Sequence, residues 1–171
     1  MALSNENIQQ RLSERFPVIS DWSEPYGLLS FRAPANKNVE ILQFLYDDAE
    51  LRFKFLTDLT GVHYPERSGE ELAVVYHLHN MADGVRLRMT VYVPITQPDV
   101  PSATAVYAAA NWMERETYDF FGINFIGHPN MCRILNVDDM QHFPMRKEFQ
   151  MEDPTRTDKD DEMFGRGGTI V

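Results

Sequence analysis

Leu72-Ala73-Val74-Val75-Tyr76-His77-Leu78 and Val85-Arg86-Leu87-Arg88-Met89-Thr90-Val91-Tyr92-Val93, with Asp83-Gly84 between them, each alternate large apolar residues with smaller or polar ones. Successive strand side chains point to opposite sides. The alternation therefore puts Leu72, Val74, Tyr76 and Leu78 on one face, together with Val85, Leu87, Met89, Val91 and Val93. Asp-Gly supplies the positive φ of a tight turn, so the two runs predict an antiparallel hairpin. Its other face carries Ala73, Val75, His77, His79, Arg86, Arg88 and Tyr92, a half-polar surface suited to solvent or to a neighbour.

Toward the N-terminus, Phe53, Phe55, Thr57 and Leu59 alternate with Lys54, Leu56 and Asp58 and predict another strand. Before it, Asn38 is placed to cap a helix in which Ile41, Leu42, Leu45 and Ala49 recur at helical spacing, and Tyr26 to Phe31 reads as a strand. Strand, helix, strand is a unit expected to pair its strands in parallel through a right-handed crossover. Ser4 or Asn5 caps a first helix with Ile8, Leu12 and Phe16 on its apolar side, stopped by Pro17.

Toward the C-terminus, Pro94 to Pro101 is a connector, and Ser102 is placed to cap a helix running to about Phe121, closed by Gly122. Met131 to Val137 reads as a short strand. The expected fold is α+β: a small mixed sheet with helices mainly on one face, in a domain over residues 1–143, followed by an extended arm over 144–171. Residues 148–171 hold acids, few large aliphatics and a glycine cluster. Met151, Met163 and Phe164 are their candidate anchors on a partner.

The end of the last helix concentrates the unusual chemistry: Glu114-Arg115-Glu116-Thr117-Tyr118-Asp119-Phe120-Phe121-Gly122, then His128-Pro129 and Arg133-Ile134-Leu135. Charges so placed need partners, since burying them unpaired is costly. Arg115 and Asp119 stand four apart and can face each other. Glu114 and Glu116 point to different sides, so some partners must lie elsewhere, on this chain or another. Three readings are open: an acid–base catalytic set, a bridge between subunits, or caps and pairs within the fold. No substrate-binding signature accompanies the set.

Composition narrows the field. At 171 residues the chain suits one ordinary domain plus an arm. A formal charge of −10 disfavours nucleic acid and anionic lipid as partners. The apolar run Ala105 to Ala110 is far short of the ~20 residues that span a bilayer. Residues 1–20 carry Glu6 and Glu14 without an apolar signal core, which predicts that the chain stays in the compartment where it is made. Cys132 is the sole cysteine and reads as a small apolar filler. It excludes an intrachain disulfide and a thiolate set for an iron–sulfur cluster. His63, His77, His79, His128 and His142 lack a thiolate or tight carboxylate to complete a zinc site and read as ordinary half-buried histidines.

The helix-end motif belongs to a longer pattern. Leu56-Thr57-Asp58-Leu59-Thr60, Tyr64-Pro65, Val75-Tyr76-His77-Leu78, Val100-Pro101-Ser102, Asn111-Trp112, the residues from Glu114 to Leu135, and Pro144-Met145-Arg146-Lys147 fall in an order that resembles the C-type (30-kilodalton-type) subunit of proton-pumping NADH–quinone oxidoreductase, respiratory complex I. Many unlike residues at fixed offsets make the motif specific. The chain departs from that pattern at Gln141-His142-Phe143-Pro144, where a residue is inserted, and at Glu148-Phe149-Gln150.

The resemblance implies a cofactor-free structural and assembly subunit of the peripheral arm, supporting electron transfer from NADH to quinone, with FMN and iron–sulfur clusters held by other subunits. It implies as partners the large quinone-site (D-type) subunit and the cluster-bearing B- and I-type subunits. It also implies a place on the bacterial cytoplasmic side of the inner membrane, as a peripheral protein. The interface residues so implied are Glu114, Arg115, Glu116, Asp119, Gly122, His128, Pro129, Arg133, Arg146 and Lys147. Two alternatives stand beside it: the equivalent subunit of a membrane-bound hydrogenase or ferredoxin-dependent complex, and a free-standing enzyme or binding domain using the acidic helix end and His128.

Overall fold

In a computed structural model of the chain, residues 3–149 are described. The predicted hairpin is its centre: β4 (Leu72–Asn80) pairs antiparallel with β5 (Val85–Val93), Leu72 opposite Val93 and Leu78 opposite Leu87. Leu72, Val74, Tyr76, Leu78, Leu87, Met89 and Val91 are fully buried on one face. Each such side chain contributes about 1.5–3 kcal/mol relative to exposure. Gly84 turns the chain at φ +69°, and Asn80 locks the turn. Its Oδ1 accepts from the N–H of Ala82 and of Asp83, and its Nδ2 donates to Leu51 O and Asp83 Oδ2.

Around the hairpin, β1 (Ser20–Ser23), β2 (Leu29–Arg32) and β3 (Phe55–His63) complete a five-stranded sheet in the order β1-β2-β5-β4-β3. Only β2 and β5 pair in parallel. The strands flanking helix α2 (Asn38–Asp47) do run in the same direction. They are not hydrogen-bonded neighbours as expected, because the hairpin inserts between them. Local pattern defines a strand–helix–strand unit, whereas the later, longer and more apolar hairpin occupies the middle, where both strand edges are paired.

Two further expectations change in register. Phe55 is half exposed while Leu56 and Leu59 are buried, because β3 carries a bulge between Leu56 and Asp58 that resets the alternation. Strand β2 starts at Leu29 and not at Tyr26, which sits at φ +55° in a tight turn before it.

Helix α1 (Asn5–Arg15) is capped by Ser4, whose Oγ accepts from Asn7 N–H at 3.3 Å, and buries Ile8 and Leu12 as expected. At α2, Asn38 turns its side chain inward. Its Nδ2 donates to Pro101 O at 2.8 Å and to the Tyr76 hydroxyl at 3.2 Å, tying the helix start to the sheet. Helix α3 spans Ala110–Phe121 and so starts seven residues later than a cap at Ser102 would place it. Residues 103–107 form separate turns, and a small parallel pair, β6 (Asp99–Pro101) with β7 (Asn124–Ile126), flanks its ends. The sequence offered no alternation at β1, β6 or β7 because each is three or four residues long. Met131 to Val137 forms no strand. The three helices bury their apolar sides in one core on the Leu72–Val74–Tyr76 face of the sheet. No helix among the described residues is long and apolar enough to cross a membrane.

Candidate functional site

Helix α3 lies across β3. Gly61 makes the approach possible, since a Cβ there would stand 2.5 Å from Phe121 Cδ2 and 3.1 Å from Thr117 Cγ2. Ala110, Glu114, Thr117 and Phe121 form the inner face, spaced three and four apart as a helical stripe requires. Glu114 is fully buried among them. Its Oε2 accepts from Ser102 Oγ at 2.7 Å and its Oε1 from Ala103 N–H at 2.6 Å, so it ties α3 to the turns before it. Burial outweighs these two bonds and pushes its carboxyl up to about 7.

Asp119, on another side of α3, is equally buried and opposite in character. Arg133 Nη1 reaches its Oδ1 at 2.7 Å, Asn136 Nδ2 donates to the same oxygen, and the N–H groups of Ile134, Leu135 and Asn136 all donate to Oδ2. Burial alone would raise this carboxyl. The N–H groups of Asn136 and Leu135, with Arg133, overrule it and hold the group well below the usual carboxylate range. One carboxylate therefore shapes residues 133–136, which is why they form a wrapped loop in place of the expected strand.

The C-terminus of α3 is closed completely. A helix leaves its last four carbonyls without helical partners. Here Tyr118 O accepts from Gly122 N–H, Asp119 O from Arg133 Nη1, Phe120 O from Met145 N–H, and Phe121 O from Arg146 Nε. Two guanidiniums at this end also suit the negative pole of the helix dipole. Gly122 holds φ +72°, and a Cβ on it would stand 2.5 Å from Phe143 and 2.7 Å from Arg146 Nη2, so only glycine fits. Arg133 and Arg146 both stack on Phe143, at 5.2 and 4.7 Å from its centroid.

The other motif residues fall around this clasp. Arg115 does not pair with Asp119 as the i, i+4 spacing suggested. It donates to Cys132 O and Arg133 O and stacks over Trp112. His128 places Nε2 3.0 Å from Asn111 O and accepts Asn130 N–H at Nδ1. Lys147 N–H donates to His63 Nδ1. Glu116, Pro129 and the Lys147 side chain face solvent. Ser102, read from the sequence as a helix cap, Phe143, noted only within the inserted stretch, and Asn136, not singled out at all, complete the clasp. Each is of a type so often found in loops or cores that no local signal marks this role.

Glu114 and Asp119 thus find their partners within the chain, the third of the readings left open, and neither carboxylate reaches the surface. Around the clasp, large apolar side chains are exposed alongside the charged Glu116 and Lys147. Trp112 is 62% exposed and Leu135 66%, and Ile126, Val137 and Met145 are exposed as well. Of the expected arm, residues 144–149 lie against the end of α3, and Met151, Met163 and Phe164 fall outside the described residues. Among the described residues no group of three or more His, Cys, Asp or Glu side chains could hold a metal ion.

Comparison with known proteins bears on the family of the chain. The family described as respiratory-chain NADH dehydrogenase, 30 Kd subunit, matches residues 31–155. The C-type subunit of NADH-quinone oxidoreductase from Nocardioides sp. (strain ATCC BAA-499 / JS614) is 44% identical over 125 residues, 73% of this chain and 50% of that protein. Its counterpart from Caulobacter sp. (strain K31) is 42% identical over 148 residues, 85% of this chain and 67% of that one. The chain thus spans about half to two thirds of the length of these curated relatives. Among solved structures, a trypsin-resistant fragment of Nqo5 superposes with a TM-score of 0.62 at 33% identity, covering 72% of this chain and 98% of the fragment. A chain of the membrane-bound sulfane sulfur reductase, an archaeal respiratory membrane complex, superposes with a TM-score of 0.73 at 28% identity, covering 85% of each. With the family match spanning well over half of its residues and the matching fold beside it, the chain belongs to the respiratory-chain NADH dehydrogenase 30 Kd subunit family.

Proposed function

We propose that this chain is a cofactor-free structural subunit of the peripheral arm of a proton-translocating NADH:quinone oxidoreductase, where it braces the subunits that carry FMN, iron–sulfur clusters and the quinone site. The observation that carries the reading is the clasp. Its buried charges are satisfied internally while Trp112 and Leu135 stand exposed on it, Leu135 on a loop tied to Asp119 and Trp112 under Arg115, and large exposed apolar side chains on such a frame suit a neighbour. Tunnelling between cofactors needs fixed separations, and a rigid brace contributes to that without touching an electron. The proposed partners are the large quinone-site subunit and the cluster-bearing subunits beside it, on the cytoplasmic side of the membrane. Enzyme turnover then belongs to the assembly.

The test separates folding from docking. Trp112→Ala and Leu135→Ser remove exposed side chains and are expected to change the stability of the isolated chain by no more than about 0.5 kcal/mol. Recovery of the chain in purified complex should fall severalfold. Full recovery with both variants combined would refute the reading. A second reading, the equivalent subunit of a related membrane-bound respiratory complex, draws support from the superposition on the sulfane sulfur reductase chain over 85% of both chains. NADH oxidation by the complex that co-purifies with this chain decides between them.

A further inference from the structure

Among the described residues, no helix covers the face of the sheet opposite the core. It holds a shallow trough of about 510 Å³ whose floor includes Val62 and Val75 and whose rim is Tyr64, Tyr92, Arg67 and Arg88. In a chain of net charge −10 the cations here stand out. Arg67 lies over both tyrosine rings, 4.7 Å from the centroid of Tyr64 and 5.0 Å from that of Tyr92, and forms no ion pair among the described residues. Arg88 spends its Nε on His77 Nε2 at 3.0 Å, an imidazole that burial and Arg88 itself keep from charging. The acids nearby are otherwise engaged or marginal. Glu70 binds Arg32, Asp58 stands 3.7 Å from His77, and Asp21 at the rim is 3.7 Å from Arg32.

We infer that this face docks an acidic, extended segment of a partner protein, with Arg67 and Arg88 taking its carboxylates and Tyr64 and Tyr92 its backbone and apolar atoms. Charge complementarity selects the occupant. A guanidinium stacked on an aromatic ring keeps its N–H edges free in a planar fork, which suits a carboxylate and gives nothing to an apolar or basic surface. Stacking also orders the side chain before binding, so less freedom is lost on contact. The surface lies on the other side of the sheet from the helix-end clasp, and its occupant need not be the protein that the clasp faces.

The test uses the full chain and a short fluorescein-labelled peptide of alternating Glu and Gly, with a Gln-for-Glu peptide as control, read by fluorescence anisotropy. The acidic peptide is expected to bind roughly tenfold or more tightly than the neutral one, and more weakly as salt rises. Arg67→Gln with Arg88→Gln should remove that preference. Lys54→Gln, which removes an exposed cation stacked on Tyr46 away from the trough, should leave it intact. Equal binding of the two peptides, or an equal loss with Lys54→Gln, overturns the inference. So does binding that emerges only when residues 150–171 are deleted, which would make the chain's own acidic end the occupant. Self-association of the wild type that Arg67→Gln abolishes would assign the face to a second copy and overturn it equally.

Discussion

Glu114→Gln isolates the energetic cost of a carboxylate that the fold buries without a cation. With its carboxyl raised from an ordinary 4.5 to about 7, the folded state holds this proton more tightly than the unfolded chain does. The stabilisation is therefore complete below the unfolded value and is lost as pH rises through about 7. At ~1.4 kcal/mol per unit, the wild type loses on the order of 2–3 kcal/mol from this group between pH 5 and pH 8. Glutamine matches the shape, its Oε1 still accepts from Ala103 N–H, and its Nε2 can donate to Ser102 Oγ, which keeps its own proton for Thr104. The assay is urea unfolding of both chains at pH 5, 6, 7 and 8, and the quantity of interest is the difference between their pH slopes. The wild-type curve should fall relative to the glutamine curve by on the order of 2–3 kcal/mol across that range, with the variant the more stable at pH 8. Parallel curves would refute the reasoning, since they would mean that Glu114 ionises freely and is not enclosed between α3 and the preceding turns.

Asp119 carries the opposite sign. Its depressed carboxyl contributes stability above the unfolded value near 3.9, and that contribution disappears as pH falls through the folded value. Asp119→Ala strands Arg133 and three backbone N–H groups, so we expect a loss of about 3–5 kcal/mol by urea unfolding and faster tryptic cleavage after Arg133. Unchanged cleavage would show that the loop holds itself without the carboxylate. Gly61→Ala forces a methyl to within 2.5 Å of Phe121 and should cost about 1–3 kcal/mol, partly recovered in the double variant with Phe121→Leu. Additive effects in that cycle would place the strain elsewhere.

Residues 72–93 were legible because their information is local. Period-two alternation on both strands and an Asp-Gly turn specify a hairpin wherever it is packed, and the same holds for the Ser4 cap and the Ile8–Leu12 stripe of α1. The β3 bulge was not legible. Leu56 and Leu59 both face the core because of a register shift between Leu56 and Asp58 against β4, and Gly61, two residues beyond Leu59, meets Phe121, a residue sixty positions away. The same limit explains α3. Ser102 looks like a helix cap by type and spacing, yet its hydroxyl serves a buried carboxylate twelve residues later, and the helix waits until Ala110.

The amino-acid order alone determined the kind of fold, the hairpin at its centre, the absence of cysteine pairs, and the helix-end motif that places the chain in its family, since each depends on residue type and short spacing. Tertiary structure decided where the charges of that motif end up. Spacing paired Arg115 with Asp119, but a carboxylate enclosed by a returning loop gains several donors at once, whereas a surface pair at i, i+4 gains only a few tenths of a kcal/mol. Asp119 therefore takes Arg133 and the loop, Arg115 takes the loop carbonyls and Trp112, and the large side chains of Trp112 and Leu135 are left exposed.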